Sequence, residues 1–241
     1  MSRTTEAPSR ILAIGAHPDD IEFGCGGVLL VEAARGSEIA LCICSRGEAA
    51  SNGTPDEREA EAHRAADLLG ASVEFLEFGG DSMIEVSRTR AVEIARRIRV
   101  FRPDVLLGPV MPHNQHPDHA AVGEMCRDAA RLARYGGLAQ LRDVAPHVVS
   151  HCFGYAVTPS AEPRESRFEI RVDIGAQLER WIALMECHSS QLRTRRYIDL
   201  QLARARLLGI EAGVEYAQAL FTTEPWLVAN LSELPRSVRL F

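Results

Sequence analysis

The sequence lacks several features that mark whole classes of protein. No apolar run approaches the roughly 18 residues that a membrane span requires, and the N-terminal stretch MSRTTEAPSR has no apolar signal-peptide core. The net charge is -6, so no basic excess is present for binding nucleic acid or an anionic membrane. We therefore expect a cytoplasmic protein whose partners include neither nucleic acid nor a membrane.

The sequence also lacks paired cysteines, internal repeats and low-complexity linkers. Six cysteines occur without a Cys-x-x-Cys pair, which in a cytosolic chain favours reduced, mostly buried thiols. Cys42 and Cys44 lie two apart in a strand-like run, where core packing is expected and a thiolate zinc site is the alternative. No repeat or low-complexity linker divides the chain, so we expect one domain over residues 1–241.

Strand-like and helix-like segments alternate through the first half of the chain. The strand-like runs lie at 10–16, 39–45, 72–78 and 104–109, and the helix-like stretches at about 26–36, 56–70 and 87–101. Such alternation with short connections requires parallel strands and right-handed crossovers. It predicts an α/β, Rossmann-like fold, with a mostly parallel sheet flanked by helices on both faces.

The second half is less regular. Helices are predicted at 119–134, 175–188 and 198–212, and strand-like runs at 146–155 and 168–172. The turn-rich residues 158–163 predict a hairpin or an exposed insertion between those two strands. The segment from Val214 onward has mixed signals and receives no assignment.

Two clusters of histidine and aspartate indicate function. Residues 16–20 read Ala-His-Pro-Asp-Asp and follow the first predicted strand, and residues 116–119 read His-Pro-Asp-His and follow the fourth. In the commonest doubly wound sheet, strands one and four are neighbours, and ligands bind in the crevice between them. We therefore expect the two clusters to meet at one site.

The residue types in these clusters suit a hydrolytic metal site. Such a site takes three protein ligands and leaves one position for water. His17 and Asp20 would supply two ligands, and His119 the third from the other cluster. Asp19 would stay unbound nearby, where a carboxylate can act as general base. The alternative is that the aspartates only cap the following helix.

His116 and Asp118 complete the second cluster. If protonated, His116 would stabilise an oxyanion or protonate a leaving amine. Asp118 would orient His116 by accepting its second ring proton, or would serve as an outer partner of a metal ligand.

Further motifs accompany the two clusters. They lie at residues 45–49, 57–61, 80–83, 114–119, 188–191 and 213–217. Together with residues 16–20, they resemble the LmbE/PIG-L family of zinc-dependent N-deacetylases, which act largely on N-acetylglucosamine conjugates. The resemblance covers most of the chain. It implies a metal site and a set of catalytic residues, namely Zn²⁺ on His17, Asp20 and His119, Asp19 as general base, and a positively charged His116 that Asp118 orients.

The resemblance extends to substrate binding. Arg58 and Asp81 match positions that contact sugar hydroxyls, and Glu48 matches a further pocket position. For Arg58, a solvated helix face is the alternative, because the surrounding residues are charged. The C-terminal half is most similar to the branch that deacetylates N-acetylglucosaminyl-malate, although Gln218 and Leu220 stand where that branch reads Glu and Phe. Members of the branch resemble homo-oligomers, so self-association is implied.

Three functions follow as hypotheses. The resemblance implies removal of an N-acetyl group from a small-molecule amino-sugar conjugate, which releases acetate and a free amine. Some relatives with these motifs look like hydratases of unsaturated dicarboxylic acids. A third hypothesis is a nucleotide-binding or regulatory module that keeps only the fold. The motifs do not identify the aglycone, and Fe²⁺ would suit similar ligands.

Overall fold

The structure, a computed structural model, describes residues 9–111, 116–163, 168–230 and 234–238. Within these ranges the strands are β1 (Arg10–Gly15), β2 (Glu38–Ile43), β3 (Ser72–Phe75), β4 (Val105–Pro109), β5 (His151–Tyr155), β6 (Phe168–Asp173) and β7 (Ala217–Thr222). The α-helices are α1 (Asp20–Ala34), α2 (Pro55–Leu69), α3 (Arg88–Phe101), α4 (Pro117–Ala133), α5 (Leu178–Glu186) and α6 (Tyr197–Ala212).

The strands form one sheet in the order β3-β2-β1-β4-β5-β7-β6. The first five strands in this order are parallel, and β7 runs antiparallel to both of its neighbours. β1 pairs directly with β4, so that Ala13 lies beside Leu107. The predicted α/β fold and the predicted contact between strands one and four are both confirmed. Because β1 and β4 are parallel, the loops that follow them open at the same edge of the sheet.

Helices cover both faces of the sheet, as predicted. Alternate residues of β1 point to opposite faces. Ile11 and Ala13 belong to the apolar cluster that includes residues of α1, α2 and α5, whereas Leu12 and Ile14 belong to the cluster under α3 and α4. Within the described residues, no helix combines the length and the apolar character needed to cross a bilayer.

The cysteines are free thiols, and four of the six are buried. Cys42 and Cys44 are fully buried in the cluster under α3 and α4. Burial raises the pKa of both thiols well above its usual value. The predicted packing role of these two residues is confirmed.

α1 begins at Asp20, six residues before the predicted start. The prediction was wrong because Gly24, Gly26 and Gly27 lie inside the helix, where each glycine costs about 1 kcal/mol relative to alanine. A Cβ on Gly24 would lie 2.3 Å from the ring of Tyr155, and one on Gly26 would lie 2.9 Å from Leu184. Close packing of α1 against the rest of the molecule therefore outweighs helix propensity.

The C-terminal part of the sheet also differs from prediction. β5 begins at His151 rather than at 146, and β5 and β6 do not form a hairpin, because β7 lies between them. β7 comes from the segment that received no assignment. Gln218 of β7 is buried, and its Oε1 accepts a hydrogen bond from the N–H of Val28 in α1 at 3.0 Å.

Candidate functional site

The first cluster lies where β1 leads into α1. Asp19, the residue before the helix, has a φ of 108°, a left-handed conformation that costs a non-glycine residue on the order of 1–3 kcal/mol. Its carboxylate makes no capping hydrogen bond to the helix and lines a cavity of about 670 Å³. The alternative that Asp19 only caps the helix is therefore wrong.

Asp20 is fixed by the backbone that precedes it. Its Oδ2 accepts hydrogen bonds from the N–H groups of Ala16 at 3.0 Å and His17 at 2.8 Å. Burial acts to raise the pKa of Asp20, but the imidazoles of His119 and His17 outweigh it and hold the pKa well below its usual range. Asp20 is thus an anchored, ionised carboxylate.

The second cluster meets the first across β1 and β4. His119, in the first turn of α4, places Nε2 at 3.0 Å from Oδ1 of Asp20 and at 3.3 Å from Nδ1 of His17. Nδ1 of His17 lies 3.4 Å from Oδ2 of Asp20. The structure thus brings together the three residues that the sequence suggested as metal ligands.

These three residues lie near the spacing of a zinc site. A tetrahedral ion with bonds of about 2.0–2.1 Å holds its ligand atoms roughly 3.3–3.4 Å apart. The two imidazole nitrogens are 3.3 Å apart, and the distances to Asp20 are 3.0 Å from His119 to Oδ1 and 3.4 Å from His17 to Oδ2. The exposed fraction of the side chains is at most 12%. His17, Asp20 and His119 therefore form a donor set that fits a divalent cation.

Two carboxylates face the opposite nitrogen of His17. Nε2 of His17 lies 3.1 Å from Oδ2 of Asp118 and 3.2 Å from Oδ1 of Asp81. A metal-binding histidine usually donates its second N–H to a carboxylate, which fixes the tautomer and orients the ring. Nδ1 of His17 faces Asp20 and His119, and Nε2 faces the two carboxylates, which together with His116 form a second group of possible metal ligands.

Asp118 lies nearer to His17 than to His116. Its Oδ2 is 3.8 Å from Nδ1 of His116, compared with 3.1 Å from Nε2 of His17. The same oxygen accepts a hydrogen bond from the N–H of Ser82 at 2.7 Å. Of the two roles considered for Asp118, the outer partner of a ligand is the one with the shorter distance.

The site carries an excess of negative charge. Asp19, Asp20, Asp81 and Asp118 contribute four carboxylates, and Arg58 supplies the fixed positive charge beside Asp19 and Asp81. Burying uncompensated charge is costly. A divalent cation on the donor set would neutralise part of this excess, which is a second reason why the residues fit a metal.

His116 precedes α4, and its side chain is 37% exposed. The N–H of Asp118 donates to Nδ1 of His116 at 3.4 Å, which places the proton of a neutral ring on Nε2. Burial and the nearby His17 lower the pKa of His116 below its ordinary value. A lowered pKa favours the neutral ring, whereas the sequence led us to expect the positively charged form. A neutral His116 still offers the N–H of Nε2.

Arg58 is only 3% exposed, so the alternative of a solvated helix face is wrong. One guanidinium nitrogen, Nη2, donates to the carbonyl of Pro18 at 2.5 Å and lies 3.3 Å from Oδ2 of Asp19. Burial raises the pKa of Asp19 to about 6, and the charge of Arg58 opposes this shift. Gly47 makes room for the contact, because a Cβ there would lie 1.9 Å from the guanidinium.

The loop after β3 brings Asp81 into the site. Its Oδ1 accepts a hydrogen bond from Oγ of Ser82 at 3.0 Å, and its N–H donates to Oε2 of Glu48 at 2.8 Å. Oε1 of Glu48 accepts from the N–H of Arg46 at 3.1 Å. The carboxylate of Glu48 thus joins the loop after β2 to the loop after β3. The contacts of Asp81 and Glu48 to a sugar stay predictions.

One wall of the cavity comes from the segment 188–197, which runs from the end of α5 to the first residue of α6. Gln191, Thr194, Arg195 and Tyr197 from this segment line the cavity. The motif at 188–191 was the one sequence signal for this wall. It could not show that the segment reaches the first cluster, because that depends on the packing of α5 against α1.

A buried ion pair that sequence reasoning missed lies behind the first turn of α1. Nε2 of His188 is 3.4 Å from Oε1 of Glu22, and both side chains are at most 1% exposed. Burial acts to lower the pKa of His188, but Glu22 outweighs it, so the pKa is raised. Neither side chain has a hydrogen bond within the described ranges. Glu22 is the main partner of a protonated His188, and the carboxylates of Asp19 and Glu61 also favour its charged form.

Comparison with known proteins places this geometry in a family. A model of the PIG-L family, described as GlcNAc-PI de-N-acetylase, matches residues 12–130, which include both clusters. A 4-oxalmesaconate hydratase from Pseudomonas putida is 25% identical over 92% of this chain and 92% of its own length. A diacetylchitobiose deacetylase from Thermococcus kodakarensis is 31% identical, but the alignment covers only 52% of this chain and 50% of that relative.

A solved structure extends the similarity to the whole fold. The conserved protein TT1542 from Thermus thermophilus superposes with a TM-score of 0.80 and 28% sequence identity. The superposition covers 94% of this chain and 100% of that protein.

Proposed function

The chain belongs to the PIG-L family, and from this premise we propose that it is a zinc-dependent hydrolase that removes an N-acetyl group from an amino-sugar conjugate. The observation that carries the proposal is the donor set of His17, Asp20 and His119 with the carboxylate of Asp19 beside it. Three ligands with a neighbouring unligated base are what a hydrolytic metal site needs.

Each residue has a defined task in this proposal. Bound to His17, Asp20 and His119, zinc would polarise the acetyl oxygen and favour ionisation of water near neutral pH. Asp19 accepts the proton of the attacking water and then returns it to the departing amine. The N–H on Nε2 of His116 stabilises the negative charge that develops on the acetyl oxygen. Neither step requires a positively charged His116.

The surrounding residues hold these groups in place. Arg58 contacts Asp19 and so fixes the direction of the base, while Asp118 and Asp81 fix the ring of His17. The cavity of about 670 Å³ lies within the range of roughly 300–1,000 Å³ common for small-molecule pockets.

We propose N-acetylglucosamine conjugates as substrates, with N-acetylglucosaminyl-malate among them. We also propose that the protein works in the cytoplasm as a homo-oligomer.

The test is acetate release by the purified, zinc-loaded chain. A panel of N-acetylglucosaminides with different aglycones is incubated with the protein, and acetate and primary amine are measured. Stoichiometric acetate and amine from at least one member would support the proposal. Absence of both products across the panel, with zinc bound, would contradict it.

A hydratase is the second candidate, because the Pseudomonas putida relative aligns over nearly the whole of both chains. In that reaction water adds to a conjugated double bond, and Asp19 and His116 would again serve as base and N–H donor. Loss of absorbance of a conjugated dicarboxylic acid, without acetate release from any sugar, would favour this function.

A further inference from the structure

Arg195 differs from the other arginines of the segment 188–197, part of which lines the cavity. The chain contains no lysine, so every fixed positive side-chain charge is a guanidinium. Arg193 pairs with Glu57, and Arg196 pairs with Asp199 at 2.6 Å. Arg195 lines the cavity and is exposed. Among the residues that the structure describes, it has no acidic partner.

The backbone that leads to Arg195 is held by two contacts with other parts of the chain. The buried carboxylate of Glu61 accepts hydrogen bonds from Oγ of Ser189 at 3.0 Å and from the N–H of Ser190 at 2.7 Å. Nδ2 of Asn52 donates to Oγ1 of Thr194 at 2.9 Å. A group presented on a fixed backbone loses less entropy when it binds a ligand.

The arginine at the inner end of the cavity is paired with carboxylates. Arg58 is already engaged by Asp19 and Asp81, and these two carboxylates line the cavity together with Arg195. The guanidinium of Arg58 is therefore not available to an anionic group on a ligand. Such a group would find a guanidinium without a competing carboxylate at the exposed Arg195.

We propose that Arg195 binds an anionic group on the aglycone of the substrate and thereby selects acidic amino-sugar conjugates. The inference rests on the proposed deacetylase function and narrows its substrate class. Arginine presents several N–H donors in a planar fork, which matches a carboxylate or a phosphate through two parallel hydrogen bonds. Both sources of the anion share this chemistry, and the test separates them.

The test compares three N-acetylglucosaminides of similar size with the zinc-loaded full chain. Their aglycones are 4-carboxyphenyl, 4-(phosphonooxy)phenyl and the uncharged 4-carbamoylphenyl. We expect the KM of wild type for the preferred anionic substrate to be about 2- to 5-fold lower than for the carbamoyl one. Arg195→Gln should abolish this difference with little change in kcat, because the contact is the same in ground and transition states. Arg195→Lys should keep part of it.

Arg196→Gln is the matched control, since it removes the same charge from the next residue, which pairs with Asp199 instead of lining the cavity. It should keep the preference for the anionic aglycone. Equal KM values for charged and uncharged substrates in wild type, or an equal rise for both in Arg195→Gln, would overturn the role of Arg195. Acetate release in that case would leave the deacetylase proposal standing.

A binding measurement keeps the inference testable if none of the three substrates releases acetate. Calorimetric titration of the same glycosides into the zinc-loaded protein then decides the matter. Tighter binding of an anionic glycoside that Arg195→Gln removes would support the anion site, whereas the deacetylase proposal is decided separately by the full panel of N-acetylglucosaminides. Equal binding of all three would overturn the anion site.

Discussion

Nδ1 of His17 lies 3.3 Å from Nε2 of His119, although 102 positions separate the two residues in the sequence. The contact exists because β1 and β4 are parallel neighbours, which places the loops after them at one edge of the sheet. Two imidazole nitrogens and the carboxylate of Asp20 converge there at the spacing of metal ligands.

The first prediction concerns metal binding. His17→Ala should lose most of the bound zinc, because it removes one of three protein ligands and leaves the outer carboxylates without a ring to orient. Zinc content after dialysis is the measurement. His63→Ala, which changes an exposed histidine of α2, is the control and should retain the metal. Full zinc occupancy in the His17→Ala protein would contradict the assigned donor set.

The second prediction separates catalysis from metal binding. Asp19→Asn should keep zinc and lower kcat by about 10²- to 10⁴-fold, because the amide cannot accept the proton of water. Asparagine is chosen because it tolerates the left-handed backbone at this position better than alanine does. Asp67→Asn, an exposed change in α2, should leave kcat unchanged. Retained turnover in a folded Asp19→Asn protein would remove Asp19 as the base.

The third prediction distinguishes two roles of Asp118. Since its carboxylate lies nearer to His17 than to His116, Asp118→Asn should weaken zinc binding by about 10- to 100-fold. Competition with a chelator of known affinity measures the change. Unchanged zinc affinity, combined with an altered pH profile of turnover, would instead assign Asp118 to the orientation of His116.

The fourth prediction concerns the buried pair of Glu22 and His188. Glu22→Gln should lower the free energy of unfolding by about 1–3 kcal/mol below pH 6, because it removes the main carboxylate that holds His188 in its charged form. The folded pKa of His188 is raised. The stabilisation that the charged His188 contributes to the folded protein is therefore complete below its unfolded pKa of about 6.5. It is lost as the pH rises through the pKa of His188 in the folded protein.

Denaturation of wild type and His188→Gln across this pH range tests whether the stabilisation by His188 falls or rises with pH. The difference in unfolding free energy between the two proteins should shrink as the pH increases. A difference that grows with pH would show that His188 is neutral in the folded protein.

The fifth prediction concerns the packing of α1. Gly24→Ala should destabilise the protein by about 1–3 kcal/mol, because the new methyl group would lie 2.3 Å from the ring of Tyr155. Gly137→Ala is the control, since a Cβ at that position meets no atom within 4 Å. Urea denaturation of both variants measures the effect. Equal stability of Gly24→Ala and wild type would show that Tyr155 can move away.

The convergence of the two clusters could be predicted from the sequence, because strand order follows from the alternation of elements. The sequence could not show that Arg58 is buried, since the decisive feature is the space beside Gly47. Nor could it choose between His17 and His116 as the partner of Asp118, because this depends on how the rings are oriented. β7 was missed for a related reason: its place beside β5 and β6 is set by pairing over a long sequence distance.

α4 carries His116 just before its first residue and His119 within its first turn. A rigid shift of this helix would therefore displace an N–H donor and a metal ligand by the same movement. A cation shared by His17, Asp20 and His119 would act as a cross-link between the chain segments that leave β1 and β4. Correct placement of the catalytic groups therefore depends on correct packing of α4, and a change that disturbs one would disturb the other.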